Sequence, residues 1–189
     1  MADFRLETER LVLRNWKPGD IDRYAAVANT PEVTRWLGPP LDAAGLAATE
    51  ARVMACHQHH GHCFWLVQRH DDGGHLAGEV LGFCGIKRDD APGSPYLGGF
   101  EIGWRLRTDA WGRGYAREAA TASLDAAFGR FAAGEVIAYT VIENTPSWGL
   151  MERLGMRRRP DLDYEDHRFV IPAQLAWTIS AESWSARAA

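Results

Sequence analysis

The stretch from Phe100 to Phe131 restricts the possible folds of this chain more than any other. Over Phe100–Arg107 the side chains alternate, with Phe100, Ile102, Trp104 and Leu106 on one side and Glu101, Gly103, Arg105 and Arg107 on the other. That is the period of a strand with one apolar face. From Tyr115 the period changes. Ala116, Ala119, Ala120, Ser123, Leu124, Ala127, Phe128 and Phe131 recur at three- and four-residue steps, marking one face of a helix. Trp111-Gly-Arg-Gly-Tyr-Ala116 joins the two elements.

A glycine-bearing turn that enters a helix suits an anion. The first helical N–H groups have no intrahelical partner, and the helix dipole favours negative charge there. Gly112 and Gly114 allow positive φ or close approach of a ligand, and Arg113 and Arg117 add cationic donors for phosphate oxygens. One reading is a phosphate or pyrophosphate held at the start of the helix; the plainer one is a turn that uses glycine only to turn. No Gly-Lys-Ser/Thr follows, which excludes a Walker loop, and the third glycine of a dinucleotide fingerprint is missing.

Along the chain, Arg10–Trp16 reads as a first strand, and Asp20 as the cap of a helix carrying Ile21, Tyr24, Ala25 and Ala28. Thr30-Pro31 opens a short helix that Gly38-Pro-Pro40 stops, and Asp42 caps a longer one over Ala43–His57. Phe64–Gln68 and Val80–Ile86 are successive strands, with turn chemistry at His70-Asp-Asp-Gly-Gly74 between them. Val136–Ile142 is the strand after the long helix, so it should run parallel to the one beginning at Phe100. Pro146 opens another helix that Gly155 ends, and Ala173–Ile179 alternates as a last strand. No repeat or linker breaks the chain, so residues 1–189 are expected to form one α/β domain.

Composition narrows the function classes. The net charge of −4 gives a nucleic-acid partner no support and suits a cationic acceptor such as an amine. No uninterrupted apolar run is long enough to span a membrane, and the first residues show no signal segment. Three cysteines, Cys56, Cys63 and Cys84, make no complete disulfide set, so a cytoplasmic location is expected. Cys56-His-Gln-His-His-Gly-His-Cys63 offers zinc-type ligands, but at a spacing that matches no standard knuckle. A polar helix end is the competing reading, and no metal is expected.

The strand, the Trp-Gly-Arg-Gly-Tyr-Ala loop and the alanine-rich helix resemble the acetyl-CoA pyrophosphate loop of the GNAT N-acetyltransferases. The resemblance is to the branch containing the ribosomal-protein N-terminal acetyltransferases, and it extends to Arg10–Arg14, Asn144-Thr-Pro-Ser147 and Leu154-Gly-Met156. It implies a mixed, mostly antiparallel sheet with a splayed parallel strand pair, flanked by helices. It also implies transfer of acetyl from acetyl-CoA to an amine acceptor, and it admits a homodimer.

For the cofactor, the resemblance implies contacts from Ile102, Trp104, Leu106, Gly112, Arg113, Gly114, Tyr115, Ala116, Arg117, Asn144 and Ser147. Trp111 stands where the superfamily often has Gln or Arg, which shifts phosphate binding onto backbone and Arg113. Trp36 and Leu37 either line the acceptor site, as the resemblance implies, or are core. Glu101 is the candidate general base; the alternative is a solvated or salt-bridged strand carboxylate. Competing carboxylates lie in Asp161–His167, where His167 itself could relay a proton. Met151 occupies the position at which many relatives carry a proton-donating tyrosine, leaving Ser147 as the hydroxyl for the leaving thiol, unless it only bonds backbone. Two other functions remain open: a non-catalytic acyl-CoA-binding module, which Met151 favours, and a metal-binding interaction protein built on the His/Cys run.

Overall fold

Alternating apolar segments pair into one nine-stranded sheet in the computed structural model, which describes residues 4–187. Its strands are β1 (Arg5–Glu7), β2 (Leu11–Arg14), β3 (Phe64–Arg69), β4 (Val80–Arg88), β5 (Phe100–Leu106), β6 (Glu135–Thr140), β7 (Arg157–Arg158), β8 (Tyr164–Glu165) and β9 (Ala173–Ser180). The helices are α1 (Asp20–Ala28), α2 (Pro31–Thr34), α3 (Ala43–His60), α4 (Tyr115–Asp125), α5 (Thr145–Arg153) and α6 (Ala181–Ser185). The spatial order is β1-β2-β3-β4-β5-β6-β9-β7, with β8 also on β9. Every pairing is antiparallel except β5–β6, which the α4 crossover makes parallel. The expected mixed sheet with one parallel pair is therefore present.

Both faces of the sheet are covered. Against one lies α4, whose Ala119, Ala120 and Leu124 pack with Cys84 and Ile86 of β4 and Ile102 and Leu106 of β5. The two alanines leave room for the helix axis to come near the strands. On the other face Ile21 and Tyr24 of α1 and Val53 of α3 pack with Trp16, Leu66 and Val80.

Several local expectations need correction. Asp20 is not the cap of α1; Gly19 is, at φ +87°. The Asp20 carboxylate is buried instead, paired with Arg14 at 2.5 Å and accepting from the Lys17 N–H at 2.8 Å. The helix expected to continue to Phe131 leaves α geometry at Asp125 and finishes in a π-helical turn, Ala126–Arg130. The strand expected to reach Ile142 stops at Thr140. Asp42 does cap α3, accepting from Gly45 N–H at 2.8 Å, and the helix continues past His57 to Gly61, whose φ is +73°. In contrast β1, β7, β8 and α6 are too short to reveal a period in the sequence.

His62, just beyond α3, is 2% exposed, and its Nδ1 lies 3.2 Å from the Ile86 carbonyl oxygen. Burial pulls its pKa from 6.5 down to about 4. Below about pH 6.5 the unfolded chain binds a proton that the folded chain refuses, so stability is lost as pH falls and the loss levels off below about pH 4. Between about pH 7.5 and pH 5, urea unfolding should show wild type losing about 2 kcal/mol more than His62→Phe. Equal losses in the two proteins would contradict this.

Candidate active site

The sheet forks at its centre. β5 pairs with β4 along its whole length, from Phe100 opposite Arg88 to Leu106 opposite Gly82. Towards β6 it pairs only at Phe100–Val136 and Glu101–Ile137. β6 meanwhile stays on β9 as far as Thr140. Beyond Glu101 the two strands part, leaving the β6-facing backbone groups of Ile102–Leu106 without a neighbouring strand. Such groups need partners, and an extended chain of amides entering the fork would provide them. Ile102 and Leu106 lie buried beneath α4, and Trp104 is half-buried on the same face.

β5 leads into the turn before α4. Gly112 and Gly114 have φ of +71° and +82°, the left-handed region that glycine enters without strain. Among the described residues, the N–H groups of Gly112 through Arg117 donate to no backbone carbonyl. Glu118 is the first to bond, to Gly114 O at 3.0 Å. Six donors are thus gathered at a helix start. Arg113 and Arg117 are exposed beside them. The Trp111 indole donates to Leu106 O at 2.8 Å and so closes the turn onto the end of β5.

The turn is braced from below. Arg10 donates to Glu118 Oε2 at 2.7 Å and to Arg113 O at 3.1 Å, and lies 4.6 Å over the Tyr115 ring. Tyr115 is buried, its hydroxyl donating to His75 O at 3.1 Å, so only its backbone N–H belongs to the turn's set of free donors.

Across the fork, Asn144 precedes α5, and its carbonyl accepts from Ser147 and Trp148 N–H at 3.0 and 3.3 Å. The Ser147 hydroxyl is half-buried and makes no hydrogen bond among the described residues. It is therefore not spent on capping. Met151 is 1% exposed and belongs to the core.

Glu101 stands on the face opposite α4, at the last paired position before the strands separate. Burial pushes its carboxyl above the ordinary range, against the pull of the Lys87 ammonium 2.8 Å away. The salt-bridge alternative is thus partly realised, although Lys87 also donates to Asp90 at 2.6 Å. Near Glu101 are groups that the sequence reading did not single out. Asp89, 2% exposed, accepts from Ala91 N–H at 3.0 Å, from Ser94 Oγ and, at 3.4 Å, from the Tyr139 hydroxyl. Tyr164 of β8 lies edge-on to Tyr139 with ring centroids 5.0 Å apart. Only the alternation of β6, which puts Tyr139 on the same side as Ile137, could have pointed to it.

Other candidates fall elsewhere. His167 is solvent-facing beside Glu165, while Asp161, Asp163 and Asp166 pair with Arg159, Arg158 and Arg168. Their loop borders the site through Tyr164 instead. Trp36 and Leu37 are half-buried, and Leu37 O accepts from Val170 N–H at 3.4 Å. Cys63 is buried and Cys56 donates to His62 O at 3.6 Å; among the described residues no three His, Cys, Asp or Glu side chains are grouped to hold a metal.

Comparison with known proteins gives the family and the fold. Residues 10–157 match the family model described as acetyltransferase (GNAT) domain. The chain is 30% identical over 164 residues to an uncharacterized N-acetyltransferase, p20, of Bacillus licheniformis, covering 85% of this chain and 86% of the relative. Among solved structures, an acetyltransferase from Agrobacterium tumefaciens superposes with a TM-score of 0.77 at 27% identity, covering 95% of each chain. A ribosomal-protein-S5-alanine acetyltransferase from Vibrio fischeri shares the fold, with a TM-score of 0.67 at 16% identity over 96% of this chain and 99% of that one.

The turn has a direct test. A β-carbon on Gly114 would lie 3.3 Å from Arg10 Nη2 and would have to adopt φ +82°. Gly114→Asp also brings a carboxylate among the free N–H groups. It should weaken coenzyme A binding at least about a hundredfold by calorimetry, roughly the 3 kcal/mol of lost anion contacts and strain. Unchanged affinity would place the diphosphate elsewhere.

Proposed function

This chain belongs to the GNAT acetyltransferases, and from that premise we propose that it moves the acetyl group of acetyl-CoA to a primary amine by direct attack, with both substrates bound at once. The observation that carries the reading is that the fork opens immediately after Glu101, between the bondless N–H groups at Gly112–Arg117 and the free hydroxyl of Ser147. The donor's diphosphate falls to the backbone of the turn with Arg113 and Arg117, its amide-bearing arm to the open edge of β5, and Asn144 borders the slot. When bound, the thioester supplies an activated acetyl group.

The remaining chemistry belongs to this chain. Glu101, its proton affinity raised by burial, takes a proton from the incoming ammonium, so the nitrogen lone pair becomes available. A β5 N–H near Ile102–Trp104 stabilises the oxyanion as the C–N bond forms. Ser147 passes a proton to the sulfur as the C–S bond breaks and is reprotonated by the second proton that the newly acylated nitrogen sheds. No cysteine nucleophile is required, consistent with the burial of Cys63 and Cys84.

Acetyl-CoA binding by calorimetry and thiol release over a panel of amines test the proposal together. Saturable binding with amine-dependent release is expected, and no saturable binding would reject it. One observation favours a second reading, a non-catalytic acyl-CoA sensor: the tyrosine position is filled by Met151, buried in the core. That reading requires tight binding with no turnover on any amine.

Two substitutions probe the assigned roles. Glu101→Gln leaves Lys87 its Asp90 partner, so the fold should persist and acetyl-CoA affinity stay unchanged. Turnover should fall about a hundredfold near neutral pH. The deficit should shrink as pH rises, because the amine then arrives already deprotonated. Full activity at every pH would remove Glu101 from the mechanism. Ser147→Ala should slow turnover about tenfold or more with little change in the acceptor KM; unchanged kcat would leave Ser147 without a proton-transfer role.

A further inference from the structure

On the face that carries Glu101, β6 places Glu135 and Tyr139; Glu135 pairs with Arg159 at 3.7 Å, and the hydrogen bonding of Tyr139, on the open side of the fork, decides what it can recognise. Tyr139 lies two residues beyond Ile137, the partner of Glu101 at the fork, and on the same side of the sheet. Its hydroxyl is 3.4 Å from Asp89 Oδ2 and 3.0 Å from Ser94 Oγ, which also donates to Asp89 Oδ2. Asp89 is 2% exposed and has no cationic partner among the described residues. A carboxylate only accepts. With the Ser94 proton on Asp89, the Tyr139 proton goes to Ser94 Oγ or to Asp89, and the phenol oxygen is left as an acceptor. Burial raises the phenol's pKa, so it stays a neutral acceptor.

The surrounding charge has the same sense. Three carboxylates, Asp89, Asp90 and Glu101, neighbour a single ammonium, Lys87, which bonds Asp90 at 2.6 Å and Glu101 at 2.8 Å. The Arg52 guanidinium acts on Asp90 from α3, and Arg105, further along the Glu101 side of β5, donates to the Tyr24 hydroxyl at 3.1 Å. Arg168, from the adjoining loop, is held by Asp166 at 2.6 Å. The Tyr164 ring, 5.0 Å from that of Tyr139, adds an aromatic wall, a surface that attracts cations. An ammonium entering here meets lone pairs, π-density and negative potential. A carboxylate on the same carbon as the amine would meet repulsion and an acceptor with no proton to give.

We infer that Tyr139, oriented by Asp89 and Ser94, is a positioning residue that receives the protonated amine of the acceptor and selects acceptors with no carboxylate beside that nitrogen. The inference rests on the acetyl-transfer reading above and narrows its substrate class.

Matched pairs test it: alanine, phenylalanine and leucine, each against its own amide, which keeps the amine and replaces the carboxylate. With acetyl-CoA and a thiol-release readout, kcat/KM should favour the amides at least about tenfold. Tyr139→Phe should raise the amide KM about tenfold, the loss of one hydrogen bond to a charged group, with kcat within about threefold. Calorimetry of the amides on protein saturated with coenzyme A should show the same loss. Asp89→Asn should shrink the amide preference because an amide group can donate to the phenol; since Asp89 also bonds the Ala91 N–H, Tyr139→Phe provides the independent check. Equal use of acids and amides, or an unchanged KM in Tyr139→Phe, overturns the inference and leaves acetyl transfer standing. Acetyl-CoA binding with no amine turned over rejects both.

Discussion

The site depends on a hydrogen-bond ladder that stops early. β5 and β6 share only two paired positions before they separate, and the sheet is not otherwise broken there, since β4 and β9 hold their outer edges throughout. Leaving half a strand's backbone without a strand partner is costly in isolation. The fold tolerates it because both strands are fixed from behind, by α4 on one face and by the continuous β4 and β9 pairings. A ligand that supplies amides along that edge recovers the missing bonds. The opening is polar at its edges and begins next to Glu101.

At the far end of β5, free backbone groups are gathered by a different device. Two left-handed glycines turn the chain where six N–H groups without a backbone acceptor are gathered at the start of α4. Arg10 and the buried Tyr115 hold the turn from beneath, which leaves Arg113 and Arg117 free to move with an anion. Trp111, in place of a polar residue, contributes no charge and instead ties the turn to Leu106. On the proposed reading, binding and chemistry are set at opposite ends of β5. Its alternation separates their side chains, with apolar residues toward α4 and Glu101 toward the acceptor.

Much of this arrangement was legible in the sequence, because period and glycine placement are local signals. The alternation from Phe100, the change of period at Tyr115 and the crossover to Val136 together gave β5, α4 and the parallel β6. Gly112 and Gly114 read as permitting either positive φ or close approach of a ligand, and both take positive φ. Asp20 was misread as a cap because a helix-start aspartate looks the same whether it bonds N–H groups or a distant arginine. The parting of the strands leaves no mark in residue spacing; only the family resemblance supplied it. The Asp89–Ser94–Tyr139–Tyr164 cluster was missed because its members come from a loop, β6 and a two-residue strand, and their convergence is a property of the tertiary structure.

Both devices have to act on one molecule for the account to hold. A crystal structure with bound coenzyme A measures this directly. The account requires the diphosphate oxygens within hydrogen-bonding distance of the N–H groups between Gly112 and Arg117, the pantetheine arm bonded along the open edge of β5, and the sulfur beside Glu101 and Ser147. Coenzyme A density elsewhere, with the fork closed or filled only by water, would contradict it.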